Sequence, residues 1–284
     1  MIDNLNTGKE ENLESVRDKI TFLNDTILNV ALLEKETKGI NGIFHQAALT
    51  VVQDSFRNPK EYHDVNVQGT ENIFKIAQKN NFKVVFASSS SVYGHQEKIP
   101  ITEDAKKNPI NPYGKTKLDD EVLMEKYSKL GAEIIGLRYF NIFGEGQTPA
   151  YAGVITKFLD RIKKMKSPII FGDGSQIRDF IFVQDIVMAN LLAMTSNVNS
   201  SLINIGTGKA MTILELANMI INISKMDLEP IFEKPLDGDL LIFKVSKGLE
   251  NYDLKNRVNN FYQSLSAGIF LFIISLFFEI SFIN

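Results

Sequence analysis

The sequence of 284 residues contains no cysteine, which excludes a disulfide framework and thiolate chemistry and is typical of a reducing compartment. The chain has no large excess of charge of one sign. Its formal net charge is −3, so we expect no broad electrostatic attraction to nucleic acid or anionic lipid. Residues 1–5 lack a basic region followed by an apolar core, so we expect no signal peptide and a cytoplasmic protein. Hydrophobic residues at 44% and charged residues at 23% are ordinary for one large or two small globular domains.

Short apolar runs alternate with stretches of helical spacing along most of the chain. Strands are predicted at 20–24, 40–44, 83–87, 133–138, 169–171 and 201–205, a further apolar run lies at 180–183, and helices are predicted at 27–36, 66–79, 112–130, 154–165, from Asp185 onward and at 212–224. The last helix begins with a capping box, Thr212 and Glu215. This alternation indicates βαβ units and a parallel sheet, in which ligands bind at the carboxyl ends of the strands. The serines after Phe86 and the residues after Arg138 lie at such ends.

One helix start carries the residue types of a general base. Asn111 is a good N-cap, Pro112 suits the first helical turn, and Gly131 ends the helix. Tyr113 and Lys117 are four residues apart and therefore share one face. An ammonium close to a phenol favours the phenolate, which can take a proton from an alcohol near neutral pH. By itself this spacing is equally typical of a solvated helix start, since such pairs also arise by chance.

Several short motifs follow one another along the chain in a defined order. They are Asp3-Asn4-Leu5, His45-Gln46-Ala47-Ala48, Asn66-Val67-Gln68-Gly69-Thr70, Ser88 to Gly94, Tyr113 to Lys117, Leu137 to Gly144, and Arg178-Asp179-Phe180. Over roughly residues 2–239 the chain resembles the extended short-chain dehydrogenase/reductases that act on nucleotide sugars, above all the NAD-dependent 4-epimerases of the UDP-glucose type. The resemblance implies an α/β fold with a Rossmann-like, doubly wound parallel sheet and a smaller substrate domain. It also implies NAD as cofactor, a UDP-sugar substrate and a homodimer that pairs helices between 92 and 130.

The resemblance also assigns roles to single residues. Tyr113 and Lys117 match the catalytic pair, and Ser89 matches the catalytic serine or threonine. Asp3 matches the acid that binds the adenosine ribose, which argues for NAD over NADP because a carboxylate repels a 2′-phosphate. Arg178 matches an arginine on the substrate diphosphate, where a guanidinium suits phosphate oxygens. The implied cofactor-binding residues are Asp3, Asn4, Asp25, His45, Ala47, Asn66, Ser88, Tyr113, Lys117 and Phe140, and the implied substrate-binding residues are Ser89, Ser90, Asn141, Val154, Phe171 and Arg178; no metal site is implied.

Other interpretations stay open at this point. The chain could be a 4,6-dehydratase or a reductase, but the family's dehydratases have an Asp-Glu pair after the catalytic threonine, where this sequence has Ser90 and Ser91. It could also be an inactive relative that only binds partners. Among the single residues, Asn66 could cap the following helix, Arg178 could form a surface ion pair with Asp179, and His45 on an apolar strand is more often a packed histidine than a catalyst.

The sequence departs from the family pattern in three places. Neither G-x-G-x-x-G nor G-x-x-G-x-x-G occurs, and the chain begins inside what would be the second strand, so we expect the first strand, the phosphate loop and the first helix to be missing. Leu236 stands where the family often has a second phosphate-binding arginine. The apolar run at 270–278 is too short for a membrane helix, which needs about 20 apolar residues. We interpret this end as frame-shifted or degraded, and the chain as the product of a gene fragment, in preference to a membrane anchor.

These observations predict the domain organisation. An incomplete NAD-binding domain is expected over 1–146, with a contribution from 169–206. A nucleotide-sugar-binding domain is expected over 147–168 and 207–250. A divergent apolar tail is expected over 251–284.

Overall fold

The computed structural model describes residues 1–144, 147 and 153–235 of the chain. The expectations for Leu236 and the 251–284 tail, and most of those for the 147–153 loop, lie outside these residues. The chain divides into two compact units: the first comprises Met1–Val92, Asn111–Leu137 and Ala193–Leu202, and the second comprises Tyr93–Ile110, Arg138–Leu192 and the chain from Ile203 onward. The assignment of cofactor and sugar to separate domains stays a prediction.

Strands and helices alternate along the described residues. The strands are β1 (Ile2–Asp3), β2 (Leu23–Asn24), β3 (Gly42–His45), β4 (Lys83–Ser89), β5 (Ile134–Tyr139), β6 (Asn141–Phe143), β7 (Ile169–Phe171), β8 (Ile177–Phe182), β9 (Ser201–Ile205), β10 (Ala210–Thr212) and β11 (Ile231–Glu233). The α-helices are α1 (Val30–Glu36), α2 (Val52–Arg57), α3 (Pro59–Tyr62), α4 (Gly69–Asn80), α5 (Pro112–Lys129), α6 (Val154–Lys163), α7 (Val183–Thr195) and α8 (Ile213–Ser224). The chain also forms 3₁₀ turns at Glu10–Lys19 and Ser90–Val92 and a π-helical turn at His63–Gln68.

Two sheets contain strands of the first unit. One has four strands in the order β3-β4-β5-β9, and β3 runs parallel to β4 with Gly42 opposite Lys83. Strand β4 is buried along nearly its whole length, as expected for a strand that is covered on both faces. The other sheet pairs β1 with β2 in parallel, with Asp3 opposite Asn24, and within the described residues the two sheets are separate. Ser89 therefore ends a buried parallel strand, as the sequence predicts.

Aromatic side chains hold the helices of the first unit on its larger sheet. The ring of Phe74 on α4 lies edge to face with Phe86 on β4, with 5.3 Å between centroids, and 6.3 Å from the ring of Tyr127 on α5. All three side chains are buried, and this geometry is the one that aromatic pairs prefer. The packing fixes α5, which carries Tyr113 and Lys117 in its first turns.

The second unit contains two small sheets and a helical core. Its sheets have the strand orders β10-β8-β6 and β11-β7, and α6 and α8 pack together through buried residues such as Phe158 and Ile220. The predicted capping box of α8 is confirmed: Oγ1 of Thr212 accepts from the Glu215 amide at 3.0 Å, and Oε2 of Glu215 accepts from the Thr212 amide at 2.7 Å. No described helix combines the length and the apolar character needed to cross a membrane.

Several predicted boundaries are wrong. The strand expected at 20–24 is confined to β2, and the helix expected from Ile27 begins at Val30 because the Asn29 side chain caps it, accepting from the Leu32 amide at 3.2 Å. The helices expected between 92 and 130 reduce to the end of one 3₁₀ turn and α5. The intervening residues form a loop, and the buried guanidinium of Arg138 holds this loop through the carbonyl of Glu103 at 2.9 Å. Arg138 and Glu103 are far apart in the sequence, so no short sequence pattern predicts this hydrogen bond.

Candidate active site

The structure brings the three predicted catalytic residues into the first unit. Ser89 ends β4, Tyr113 and Lys117 lie on the first turns of α5, and α5 packs against both β4 and the Ser90–Val92 turn. The start of α5 is as predicted, because Oδ1 of Asn111 accepts from the Gly114 amide at 2.7 Å. A buried strand end and a capped helix start thus set the positions of the serine, the phenol and the ammonium.

Tyr113 is held by its backbone and keeps its phenol available. Its amide donates to Oγ of Ser55 at 3.2 Å, which fixes the first turn of α5 against α2. The Tyr113 side chain is only partly buried, and no hydrogen bond joins its hydroxyl to another of the described residues. Oγ of Ser89 accepts from the Ser91 amide at 3.1 Å and still has a proton to donate. Both hydroxyl groups can therefore bind the oxygen of an alcohol substrate.

Lys117 is buried beside a carboxylate that sequence reasoning missed. Its side chain is 4% exposed, and its ammonium lies 3.3 Å from Oδ2 of Asp120, which is fully buried. Sequence reasoning also missed Glu121, whose Oε1 accepts from the Ser88 hydroxyl at 2.7 Å. Both carboxylates lie on α5 within four residues of Lys117. Because exposed ion pairs on a helix have the same spacing, the sequence does not show that these two carboxylates are buried.

Asn66 ties the residues after β3 to α5. It is fully buried; its Oδ1 accepts from the Leu49 amide at 2.8 Å, and its Nδ2 donates to the Leu49 carbonyl and to Oγ1 of Thr116, each at 3.0 Å. Asn66 lies inside a continuous helical stretch rather than at its start, so the capping alternative is wrong. Its contact with a cofactor stays a prediction.

His45 is packed in the core of the first unit. It is 4% exposed, and its Nε2 lies 2.8 Å from the Thr70 hydroxyl. Burial, reinforced by the charge of Lys117, lowers the pKa of His45 to about 3, so the imidazole is neutral at physiological pH. This environment favours a packing role over an acid–base role. The predicted cofactor contacts of His45 and of the nearby Ala47 stay predictions.

The two predicted adenosine-binding acids lie at the same end of the β1–β2 pair. Asp3 stands opposite Asn24, so Asp25 follows directly beyond it. Oδ1 of Asp3 accepts from the Leu5 amide at 2.7 Å, whereas its Oδ2 accepts no hydrogen bond from the other described residues. Both oxygens of Asp25 are engaged, by the Thr26 amide at 2.7 Å and by the Asn29 side chain at 3.0 Å. Asn4 accepts from the Asn6 amide at 3.1 Å.

The remaining predicted residues belong to the second unit. Nδ2 of Asn141 donates to the Asp179 carbonyl at 3.1 Å, and Nη1 of Arg178 donates to the Ile177 carbonyl at 3.0 Å. The buried Asp179 carboxylate accepts from the Thr207 amide and hydroxyl, at 2.8 and 2.6 Å, and from the Gly208 amide. Phe140 is buried after β5, Val154 begins α6 and Phe171 ends β7. The roles of these residues toward a nucleotide sugar stay predictions.

A parallel α/β sheet that places a serine, a tyrosine and a lysine at the end of a buried strand defines the class of short-chain dehydrogenase/reductase-like proteins. The model of the NAD dependent epimerase/dehydratase family matches residues 1–206, and the chain belongs to this family.

Proteins with related sequences and structures agree with this assignment. The Methanocaldococcus jannaschii protein named "Putative UDP-glucose 4-epimerase" is 41% identical over 245 residues, which cover 84% of this chain and 79% of that protein. The UDP-glucose 4-epimerase of Thermotoga maritima, solved with UDP-glucose, has a TM-score of 0.83 at 30% identity, covering 93% of this chain and 90% of that one. The UDP-N-acetylglucosamine 4-epimerase of Methanobrevibacter ruminantium M1, solved with UDP-N-acetylmuramic acid, has a TM-score of 0.82 at 33% identity, covering 91% and 86%. The Rossmann-like α/β fold predicted from the sequence is thereby confirmed.

The residues present suit NAD in part. The Oδ2 of Asp3 can accept a hydrogen bond from a ribose hydroxyl. The contacts of Tyr113 and Lys117 with the nicotinamide ribose stay predictions. The pyrophosphate, by contrast, normally binds the backbone amides of a glycine-rich turn at a helix N-terminus, and the sequence contains no such turn. The described residues also contain no group of three or more side chains that could hold a metal ion.

We expect the 284-residue chain to bind NAD weakly, with a Kd of about 1 mM or more. Two or three missing charge-assisted hydrogen bonds, at about 1.5–3 kcal/mol each, are enough to weaken a micromolar site that far. Isothermal titration with NAD would measure this affinity. Micromolar binding would contradict the expectation and would mean that other groups of the chain hold the pyrophosphate.

Proposed function

We propose that the chain is an NAD-dependent epimerase that inverts C4 of a UDP-sugar through a transient 4-keto intermediate. The observation that carries the proposal is the placement of Ser89, Tyr113 and Lys117 around the end of β4, with the Tyr113 hydroxyl available for substrate. Family membership and the epimerase relatives support the same reaction.

Each of the three residues has a distinct task in this proposal. The Tyr113 phenolate takes the proton of the sugar 4-hydroxyl and later returns it, as a general base and acid. The Ser89 hydroxyl donates to the same oxygen and holds it next to the phenolate. The Lys117 ammonium stabilises the phenolate by its charge. NAD, when bound, supplies the hydride acceptor and donor for C4.

Residues of the second unit are proposed to hold the nucleotide sugar. Arg178 is assigned to the diphosphate because a guanidinium can donate two parallel hydrogen bonds to phosphate oxygens. Asn141, Val154 and Phe171 are assigned to the sugar and the nucleoside. The relatives include enzymes named for UDP-glucose and for UDP-N-acetylglucosamine, so both sugar types are candidate substrates.

The direct test incubates the full chain with millimolar NAD and with UDP-galactose or UDP-N-acetylgalactosamine, and follows the products by NMR. We expect the corresponding gluco epimer, without net formation of NADH. Loss of one water, seen as a 4-keto-6-deoxy product, would instead identify a 4,6-dehydratase. Ser90 and Ser91 lack the carboxylates that such an elimination needs.

A cytoplasmic homodimer that pairs α5 between subunits completes the proposal. The described structure supports it through Val122, which is 57% exposed in the middle of α5. We expect Val122→Asp to yield monomers, because a charge would be buried between the paired helices. Light scattering at micromolar concentration measures the result, and Val187→Asp is the control, since Val187 is 52% exposed on α7. A wild-type chain that is monomeric would contradict the expectation.

A further inference from the structure

The amide groups in the first turn of α5 find their acceptors outside the helical ladder. Such amides have no partner within the helix itself. Pro112 has no N–H to satisfy, and the Gly114 amide is capped by Oδ1 of Asn111 at 2.7 Å. The amide of Tyr113 lies between them and donates to Oγ of Ser55 on α2 at 3.2 Å. Ser55 therefore supplies, from another helix, the acceptor that the local cap does not provide for Tyr113.

The hydroxyl of Ser55 is fixed as an acceptor for this amide. Ser55 is fully buried, and its Oγ donates its single proton to the Val52 carbonyl at 2.6 Å. The amide of Ser55 donates to the Val51 carbonyl at 3.1 Å, and the same carbonyl accepts from the Tyr62 hydroxyl at 2.7 Å. The oxygen that Tyr113 contacts thus belongs to a side chain whose own position is set within α2 and by Tyr62 of α3.

The carbonyl of Tyr113 is held as well. Oγ1 of the buried Thr116 donates to it at 2.8 Å and accepts from Nδ2 of Asn66 at 3.0 Å. Threonine hydroxyls often bond backbone carbonyls about one turn earlier in a helix, so this contact is local. The bond to Ser55 is different, because it joins residues that are 58 positions apart in the sequence. Both backbone polar groups of Tyr113 are therefore engaged, one within its helix and one by a distant residue.

The phenol of Tyr113 has no such support. Its side chain is partly buried, and its hydroxyl makes no hydrogen bond with the other described residues. The direction of the Cα–Cβ bond follows from the backbone, and staggered rotamers then leave few directions for the ring. A displacement of about 1 Å at a reacting group can cost on the order of 100-fold in rate. The backbone contacts of Tyr113 thus decide how well its hydroxyl can be placed against a substrate.

We propose that Ser55 is a positioning residue: by accepting from the Tyr113 amide, it fixes the backbone that presents the phenol. The inference rests on the proposed function in treating Tyr113 as the general base. The placement of the phenol itself depends on the hydrogen bonds of Ser55 and Thr116. Ser55 lies between two of the recognised motifs, at 45–48 and 66–70, and no pattern in the sequence marks it.

The first test needs neither NAD nor sugar. The full chain is labelled with ¹⁵N,¹³Cζ-tyrosine, and the Tyr113 signals are assigned by NMR from Tyr113→Phe. In the wild type, the Tyr113 amide is expected to exchange slowly with D₂O, although first-turn amides of a helix have no helical partner to protect them. In Ser55→Ala we expect exchange at least about 10-fold faster, as the loss of one hydrogen bond allows, together with a shifted phenol signal.

Two variants separate this contact from a general loss of stability. Ser128→Ala removes the same hydroxyl from α5, where Oγ of Ser128 is buried without a hydrogen bond to the other described residues, and should leave the Tyr113 signals unchanged. Ser55→Thr keeps the hydroxyl and should keep the Tyr113 amide protected. Rapid exchange of this amide in the wild type would overturn the proposal even if Ser55→Ala fails to fold. An unchanged exchange rate in a folded Ser55→Ala chain would overturn it as well.

Turnover gives the second readout. With millimolar NAD, Ser55→Ala is expected to lower kcat at least about 10-fold and to change the KM for the UDP-sugar less than about threefold, because a misplaced base destabilises the transition state and not the bound sugar. In a Tyr113→Phe background the same substitution should cost nothing further, since the hydroxyl that Ser55 places is already absent. A merely structural role would lower kcat by the same factor in both backgrounds, and that result would overturn the proposal.

The two readouts separate this inference from the proposed function. If the Tyr113 signals respond as expected but the wild type epimerises no sugar, Ser55 positions the phenol and the proposed function fails. If the wild type epimerises sugars but Ser55→Ala keeps the exchange rate and kcat of the wild type, the function stands and this inference fails.

Discussion

Replacement of Tyr113 by phenylalanine is expected to lower the turnover of nucleotide-sugar epimerisation at least about 100-fold. Loss of a positioned general base typically costs 10²–10⁴ in rate, because the proton of the substrate hydroxyl then has no acceptor. The phenyl ring keeps its packing at the start of α5, and the amide of residue 113 keeps its bond to Ser55. The rate should be measured at saturating NAD, since Tyr113 is also a predicted cofactor contact.

Tyr127→Phe is the matched control for this prediction. Tyr127 lies on the same helix, and its hydroxyl donates to Oε1 of Glu71 at 2.9 Å, away from Ser89 and Lys117. Its loss should cost some stability and leave turnover nearly unchanged. A Tyr113→Phe chain that turned over within a few-fold of the wild type would remove Tyr113 from the role of base.

Replacement of Arg138 by methionine is expected to lower the free energy of unfolding of the second unit by about 3–5 kcal/mol. Arg138 is fully buried; its Nη1 donates to the Tyr93 hydroxyl at 2.6 Å and to the Glu103 carbonyl at 2.9 Å, and its guanidinium lies 5.0 Å from the centre of the Tyr93 ring. The Tyr93 hydroxyl in turn donates to Asn204 at 2.6 Å, and burial raises the pKa of Tyr93 to about 12. Methionine fills the space but leaves these buried acceptors unpaired.

Thermal or urea unfolding would measure the cost, with a melting temperature lower by on the order of 10 °C. Arg57→Met is the control, because Arg57 is 76% exposed and pairs with Asp54 at 3.1 Å on the surface. It should change stability by less than about 0.5 kcal/mol. A loss of less than 1 kcal/mol for Arg138→Met would mean that the network does not hold the segment between β4 and α5 in place.

Local signals in the sequence predicted the parts of the fold that local physics decides. The strand at 83–87 is a continuous apolar run, and the starts of α5 and α8 carry their own caps in Asn111 and Thr212. The short strands β6, β10 and β11 were not predicted. Each is three residues long and pairs with β8 or β7, which are distant in the sequence. The local sequence alone therefore does not predict these strands.

Sequence motifs identified some residues of the candidate site. They did not identify residues that belong to the site because their side chains are buried there. Ser89, Tyr113 and Lys117 were found through ordered motifs. Asp120 was missed because the sequence Lys115 to Asp120 contains two lysine–aspartate pairs at helical spacing. Lys115 and Asp119 form an exposed pair, whereas Lys117 and Asp120 are buried. Spacing alone does not reveal which pair faces the protein interior.

If Tyr113 and its neighbours invert C4 by reversible oxidation, the hydrogen at C4 must stay with the sugar, and NMR can follow that hydrogen. The full chain is incubated with UDP-galactose and millimolar NAD in D₂O. Because the C4 hydrogen leaves and returns as a hydride without exchange with solvent, we predict UDP-glucose that carries the original hydrogen at C4. Deuterium at C4, loss of water from the sugar, or no conversion of either the galactose or the N-acetylgalactosamine substrate would contradict the account.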